Sequence, residues 1–463
     1  MSRKISQQDL DSEIRSYLVG AGGAEPSSLG DVLHRLPDRS RAGRWSLPAF
    51  PSLVKYGALA AVLILAAAAV GVPLMMYKPG PAALGQTSSP VPAVASGAFV
   101  PTGSMTAPRQ AATAVRLSDA RVLIVGGWSD PQTPLASAEL YDPATGKFSP
   151  TGSMSTARSA YTATLLRDGR VLFAGGTDQT GLLASAEIYD PATGRFSPTG
   201  SMTAARLSQS AALLPDGRVL IAGGEGNGDS TALASAELYD PATGKFSATG
   251  SMTTGRLNQS ETPLPNGKVL IAGGYAVSNV LPAGVVTIPT MGPSDKVMFA
   301  SILTSAELYD PATGKFSPTG SMTTARDSAT VTQLSDGHVL IAGGSGQSAN
   351  ATPGPSEYAS AELYDPATGE FSLSGSMAGM RAMHAAALLS DGRVLVVGGS
   401  ISVVPIAAAE LYDPATASFS PTGSMSVGRS GPIATRLADG RVLVAGGVGA
   451  GDKVLASAEL YQP

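Results

Sequence analysis

The string ASAELYDPATGKFSPTGSM, residues 136–154, returns almost unchanged at 184–202, 234–252, 304–322, 359–377 and 407–425. A seventh copy starts at residue 456 as ASAELYQP and lacks its second half. That second half stands by itself as GAFVPTGSM at residues 97–105. Units of about fifty residues cannot each bury a core, so a chain of this kind must stack its units on one another.

Fixed spacings divide each unit into constant and variable parts. An arginine stands four residues after each GSM methionine: Arg109, Arg158, Arg206, Arg256, Arg326, Arg381 and Arg429. A Gly-Gly pair begins 17 residues after each arginine, and the next arginine stands 19 residues after each repeated glutamate. From the second glycine to that glutamate the separations are 12, 11, 13, 33, 18, 11 and 12. All length variation therefore falls in one connection.

Each unit reads as four short strands. An alternating segment leads to an Asp-Gly hairpin turn such as Asp168-Gly169, and a continuous apolar run such as VLFAGG follows as a strand buried on both faces. A third strand ends at the turn DPATG, and the fourth begins at a phenylalanine. Seven such units predict an all-β, seven-bladed β-propeller over residues 97–463. The N-terminal strand at 97–105 should close the ring by completing the last blade.

These residues resemble kelch repeats: the Gly-Gly pair after the second strand, Glu-x-Tyr-Asp-Pro before a turn, and an aromatic residue opening the fourth strand. The resemblance implies the seven-bladed kelch propeller and, for function, binding of proteins or sugars. Phenylalanine replaces the more usual kelch tryptophan throughout. Blade 1 has Asp119-Ala120 where the other blades have Asp-Gly or Asn-Gly, which predicts a looser turn there.

The first ninety-six residues differ in composition from the repeats. Residues 57–77 contain no charge, and a helix over 56–77 is long enough to span a bilayer. Residues 78–96, rich in Pro, Ala and Ser, predict a flexible linker. Arg39, Arg41 and Arg44 precede the apolar run, which predicts a cytoplasmic N-terminus and an extracellular propeller at the cell membrane.

Residues 1–55 form a polar segment with two weakly amphipathic patterns. Short helices within 7–36 could dock a cytoplasmic protein partner, and a marginally ordered tail explains the pattern equally well. A formal net charge of −4 argues against a nucleic-acid partner. The absence of cysteine excludes disulfides and thiolate metal sites.

Antiparallel order places the uniform turns on one face of the propeller, the turn face. The variable connections between second and third strands, with the crossings between blades, lie on the other, the loop face, where binding residues are expected. Blade-specific residues there and on the inner strands suit a glycan or a peptide. The predicted ligand-binding residues are Trp128, Tyr161, Gln209, Gln259, Tyr275 and His384. Packed inner-strand positions are an equally good interpretation of Tyr161 and His384.

The repeated arginine and glutamate are expected to be structural, and the alternative is a ring of arginines that attracts an anion at the channel mouth. No catalytic residue, metal site or cofactor is predicted. Galactose oxidase, a kelch-propeller enzyme, needs a cysteine cross-link and two histidines around copper, which this chain cannot supply. Glu225, Asp229 and Glu261 are expected on the loop face, where a carboxylate pair could serve a carbohydrate hydrolase or lyase.

Three functions therefore remain at this level. The first is a membrane-anchored, non-enzymatic extracellular binding module for a protein or glycan. The second is a single-pass receptor that couples such binding to an anti-sigma-like cytoplasmic segment, although no Cys/His zinc motif is present. The third is the carbohydrate-active enzyme.

The membrane topology is directly testable. Protease added to intact cells should cut within residues 78–96 and release a propeller-sized fragment, because that linker is predicted to be outside. An antibody to an N-terminal tag should still detect a protected membrane fragment. Protection of the propeller, with cleavage before residue 55, contradicts this orientation.

Overall fold

The computed structural model describes residues 97–130, 133–226, 231–278, 288–291, 297–347 and 355–463. The predicted cytoplasmic segment, membrane helix and linker lie outside these residues. Among the residues that are described, none belongs to a helix with the length and apolar character needed to cross a membrane.

Seven four-stranded antiparallel sheets follow one another along the chain, as the repeat predicts. The innermost strands are Thr113–Arg116, Thr162–Leu165, Ser210–Leu213, Ser260–Pro263, Thr330–Gln333, Ala385–Leu388 and Ile433–Arg436. The second strands are Val122–Val125, Val171–Ala174, Val219–Ala222, Val269–Ala272, Val339–Ala342, Val394–Val397 and Val442–Ala445. The third strands are Ala138–Asp142, Ala186–Asp190, Ser235–Asp240, Ala306–Asp310, Ser360–Asp365, Ala409–Asp413 and Ala458–Gln462. The outermost strands of blades 1 to 7 are Lys147–Pro150, Arg195–Pro198, Lys245–Ser251, Lys315–Pro318, Glu370–Ser376, Ser418–Pro421 and Ala98–Pro101.

The predicted closure of the ring is confirmed. Ala98–Pro101 pairs antiparallel with Ala458–Gln462, and Phe99 stands opposite Tyr461. The centroids of the two rings lie 5.0 Å apart, against 4.8 Å for the equivalent Phe-Tyr pair of blade 1 and 4.9 Å for that of blade 3. The first strand in the described part of the chain thus completes blade 7, which otherwise has three strands.

The core lies between the blades. Every second strand is buried along its whole length, which confirms the prediction from its continuous apolar sequence. Buried side chains form seven clusters, and each cluster joins two neighbouring blades. A single blade has no core of its own, so the seven blades depend on one another for stability.

The variable connection carries additional short strands on the loop face. In blade 4 it forms a three-stranded sheet of Tyr275–Ser278, Ile288–Met291 and Val297–Ile302. The connections of blades 1, 5 and 6 form two-stranded ribbons: Trp128–Asp130 with Thr133–Pro134, Ser345–Gln347 with Pro355–Glu357, and Ser400–Ile401 with Val404–Pro405. In blade 3, Glu225–Gly226 pairs with Arg206–Leu207, and blade 7 has a 3₁₀ turn at Ala450–Asp452.

The expectation of a looser first turn in blade 1 is wrong. Ala120 N donates to Leu117 O at 3.1 Å and Leu117 N donates to Arg121 O at 2.8 Å, the same distances as in the Asp-Gly turn of blade 2. Ala120 adopts a φ of 71°, close to the 87° of Gly169. The hydrogen bonds and the two flanking strands hold the turn, so alanine is forced into the left-handed region.

This strain predicts a stabilising substitution. Ala120→Gly should raise the free energy of unfolding by about 1 kcal/mol, because a left-handed backbone costs an L-residue about 1–2 kcal/mol that glycine avoids. The reverse change at the matched position, Gly169→Ala, should lower it by a similar amount. Thermal unfolding of both variants measures this. Two changes of the same sign contradict the account.

Candidate functional site

Each repeated arginine is buried beside the repeated glutamate of its own blade. Arg109 Nη2 lies 3.0 Å from Glu139 Oε1, and Nη1 donates to the carbonyls of Gly126 and Ser137, each at 2.9 Å. The second glutamate oxygen accepts the Thr106 N–H at 2.7 Å. The other six blades repeat the ion pair at 2.6–3.2 Å. The network thus satisfies backbone groups of the Gly-Gly strand end and of the crossing that enters the blade.

This geometry settles the role of the seven arginines. Their exposed fractions are only 0–2%. Burial lowers the pKa of Arg158 and Arg206, while the nearby glutamates oppose this change. The structural interpretation is confirmed, and the anion-attracting ring is wrong because every guanidinium group is enclosed and paired.

Four of the predicted ligand-binding residues lie at contacts between blades. They are Tyr161, Gln209, Gln259 and His384, all third after the arginine and 7–8% exposed. Tyr161 OH donates to Val125 O of blade 1 at 2.6 Å, and Gln209 Nε2 donates to Ala174 O of blade 2 at 2.8 Å.

The other two positions make the same kind of contact. Gln259 Nε2 donates to Ala222 O at 2.8 Å and to Ser210 Oγ at 2.9 Å, both in blade 3. His384 Nε2 lies 2.8 Å from Thr330 Oγ1 of blade 5. All four side chains thus reach back to the preceding blade, and ligand binding by them stays a prediction.

Burial also sets the charge of two of these groups. It raises the pKa of Tyr161 to about 12. It lowers the pKa of His384 to about 3, with a further contribution from the positive charge of Arg381. Both groups are therefore neutral at pH 7, which suits a hydrogen-bonded contact between blades.

Trp128 and Tyr275 lie at the base of the loop-face connections of blades 1 and 4, and both are half-buried. Trp128 exchanges two backbone hydrogen bonds with Gln110, at 2.9 and 3.0 Å, and Tyr275 does so with Leu257. These two residues lie on the expected face. Ligand contact by either of them also stays a prediction.

In every blade, a residue with a strained backbone lies between the arginine and the innermost strand. The second residue after the arginine has φ between 51° and 60° in every blade, although only Gly431 is a glycine. Backbone bonds link several of them from blade to blade, as from Ser208 N to Ala160 O at 2.9 Å and from Gly431 N to Met383 O at 2.8 Å. Sequence reasoning missed these left-handed residues because Ala, Ser and Met rarely adopt that conformation, and asparagine, which adopts it more often, occurs there only as Asn258.

The comparisons agree with this geometry. A family model described as the kelch motif matches residues 113–155, which span the four strands of blade 1. The other six blades repeat its strand order and its buried arginine–glutamate pair. The described residues thus form a seven-bladed β-propeller, of which blade 1 matches the kelch motif.

The propeller is also similar to a solved fungal alcohol oxidase, described as a novel enzyme with catalytic diversity among the AA5 family, in complex with copper. The TM-score is 0.61 at 20% identity, over 79% of this chain and 75% of the oxidase chain. At this identity the likeness shows the fold alone. No curated protein matches the chain. The described part of the propeller contains no group of three His, Cys, Asp or Glu residues placed to hold a metal.

An apolar patch on the loop face was not predicted from the sequence. It consists of Met380, Met383, Val403, Val404 and Val427, which are 38–62% exposed. The residues come from the crossing into blade 6, from its loop-face hairpin and from the crossing into blade 7. Val403 has a φ of 65°, a strained conformation for a β-branched residue.

The turn face carries a pocket of a different kind. Its volume is about 460 Å³, and its charged lining residues are Arg167, Asp168, Arg170, Asp216, Arg218 and Asp240. Arg170 and Arg218 are paired with the aspartates of their own turns, and Arg167 donates to Pro215 O. These partners leave the pocket polar, with its charges balanced, so it is a weak candidate for a binding site.

Glu261 does not lie on the loop face as expected. It is on the innermost strand of blade 4, where five other blades have alanine and blade 5 has Val331. Both carboxyl oxygens are buried, and neither has a hydrogen bond of 3.5 Å or less among the described residues. Burial raises the pKa of Glu261 to about 8, and the Ser210 hydroxyl of blade 3 offsets part of this rise. The expected placement of Glu225 on the loop face is correct, but that residue is buried, and Asp229 lies outside the described residues.

This buried acid predicts a pH-dependent stability. The folded-state pKa of about 8 is above the ordinary value of 4.5, so the folded protein retains a proton that the unfolded chain releases. The stabilisation is complete below pH 4.5 and is lost as the pH rises towards about 8. Relative to Glu261→Gln, the unfolding constant of the wild type should rise by up to about tenfold per pH unit in this window. Chemical denaturation from pH 5 to 9 tests this, and parallel curves for the two proteins contradict it.

Proposed function

We propose that this kelch propeller is a non-enzymatic binding module that engages a protein partner through its loop face. The observation that carries the proposal is the apolar patch on blades 6 and 7. Of the six large hydrophobic residues exposed in the described part of the chain, five belong to this patch. Concentrated apolar exposure on one face is typical of protein–protein contact sites.

The construction of the patch also suits recognition. Gly431 N donates to Met383 O, and Ser430 Oγ lies 3.9 Å from Met383 Sδ, so the crossing into blade 7 braces this part of blade 6. The blade 6 hairpin is held from the other side, where Ser402 N donates to Glu357 Oε1 of blade 5 at 2.9 Å. Methionine adapts its shape to a partner while its backbone stays fixed. The proposal therefore favours an apolar peptide segment over a glycan.

The cellular setting is also part of the proposal. The uncharged run at 57–77, with its preceding arginines, supports a single-pass anchor with the propeller outside the cell. Residues 7–36 then face the cytoplasm, where their two amphipathic patterns favour a protein partner. In this arrangement, the loop face recognises extracellular protein and the anchor keeps the module at the membrane.

A binding test separates the two faces. Peptides selected from a random library on the full-length protein should lose about tenfold or more in affinity for Met383→Ser and for Val404→Ser, since buried apolar anchors contribute about 1–2 kcal/mol or more to such contacts. Ala415→Ser, in the turn face of the same blade, is the matched control and should bind like the wild type. Peptides that respond to Ala415→Ser and ignore both loop-face changes contradict the proposal.

A further inference from the structure

The outermost strands fall into two classes. Five of them carry proline at one shared position: Pro101, Pro150, Pro198, Pro318 and Pro421. These strands are four residues long. Blade 3 has Ala248 and blade 5 has Leu373 at this position, and both strands are seven residues long.

The backbone of the shared proline faces solvent and not the third strand of its blade. In blade 1, Thr151 N donates inward to Ala138 O at 3.1 Å, so the preceding residue, Pro150, has its backbone on the solvent side because successive residues alternate. Leu373 stands opposite Glu362 in the register that Pro150 has opposite Glu139. Proline thus removes an outward N–H donor and protects the edge against pairing with another strand. Blade 5 keeps that donor at Leu373.

The open edge of blade 5 also exposes an apolar side chain. Leu373 is 68% exposed, and no other large hydrophobic side chain in the described part of the chain is as exposed. Phe371 lies two residues earlier, so its backbone also faces outward and its side chain is on the same face of the sheet. Blade 3 has only Ala248 here, and its strand starts at Lys245, a residue type that discourages edge pairing.

We propose that the outermost strand of blade 5, Glu370–Ser376, pairs antiparallel with the same strand of a second copy of this chain, centred on Ser372. In this register Phe371 stands opposite the partner's Leu373, and Leu373 opposite the partner's Phe371. Each pair exchanges two backbone hydrogen bonds through groups that face solvent in the single chain. The exposed leucine then gains a cross-strand aromatic contact.

The edge favours a second copy because it complements itself. Glu370 stands opposite the partner's Ser374, so no like charges meet across the two-fold axis. The pairing stops before Gly375, since the next blade occupies that end: a side chain there would collide with Ala417 O. An edge this short buries less than the roughly 1,000 Å² of a stable interface, so the dimer is weak and concentration-dependent.

A single engineered cysteine tests the register, because the natural chain has none. Ser372 and the partner's Ser372 form a pair without hydrogen bonds, whose Cα separation of about 4.5 Å is within the range of a disulfide. Full-length Ser372→Cys should form a band of twice the chain mass under mild oxidation on a non-reducing gel. Ser247→Cys in blade 3 and Ser149→Cys in blade 1 occupy the same strand position and should remain mainly monomeric.

A second variant tests the edge itself. Leu373→Pro, added to Ser372→Cys, installs the residue that five other blades carry and should abolish the cross-link, while Ala248→Pro should leave it intact. Circular dichroism checks that both variants fold. Cross-linking of Ser372→Cys no stronger than that of Ser247→Cys overturns the proposal, as does cross-linking that survives Leu373→Pro. A cross-linked band of any other mass assigns the edge to a different protein and also overturns it.

Discussion

A buried arginine–glutamate pair in every blade is the interaction on which this propeller depends. The arginine binds one carbonyl at the end of the Gly-Gly strand and another just before the third strand, and the glutamate binds an N–H of the incoming crossing. Removing one member of such a pair costs about 3–5 kcal/mol, because the other charge is left buried without a partner. The constant spacing of 17 residues follows from this network, since each arginine must reach the carbonyl of the first glycine of its Gly-Gly pair.

The joints between blades use a second set of contacts. A threonine or serine of each outermost strand bonds the tyrosine of the next blade at 2.8–3.0 Å, as in Thr102 with Tyr141. On the inner side, four joints add a blade-specific side chain, such as Gln209 or His384. Variation at these inner-strand positions thus reflects the local fit between two blades.

Two parts of the surface escape these constraints. The connections on the loop face begin and end at strand ends that the arginine network fixes. Their length and sequence can therefore vary. Outermost strands have only one paired side, so a single substitution such as Leu373 for proline changes what the edge exposes. The proposed partner site and the proposed self-pairing edge lie at these two places.

The sequence by itself determined the seven blades, their strand order, the closing strand and the face that carries the variable connections. Each of these follows from local patterns that repeat: a turn residue, an apolar run, a fixed spacing. It also indicated a structural role for the arginines, because a residue present in every blade serves every blade.

Tertiary structure alone decided which blade-specific side chains are open. Four of them lie against the preceding blade: Tyr161, Gln209, Gln259 and His384. The alternation of side chains along an inner strand does not tell which side chains face the neighbouring blade. Ala120 takes a left-handed turn because the hydrogen bonds around it outweigh its own preference. The patch around Met383 unites residues from two crossings and a hairpin, which meet only when the blades stack.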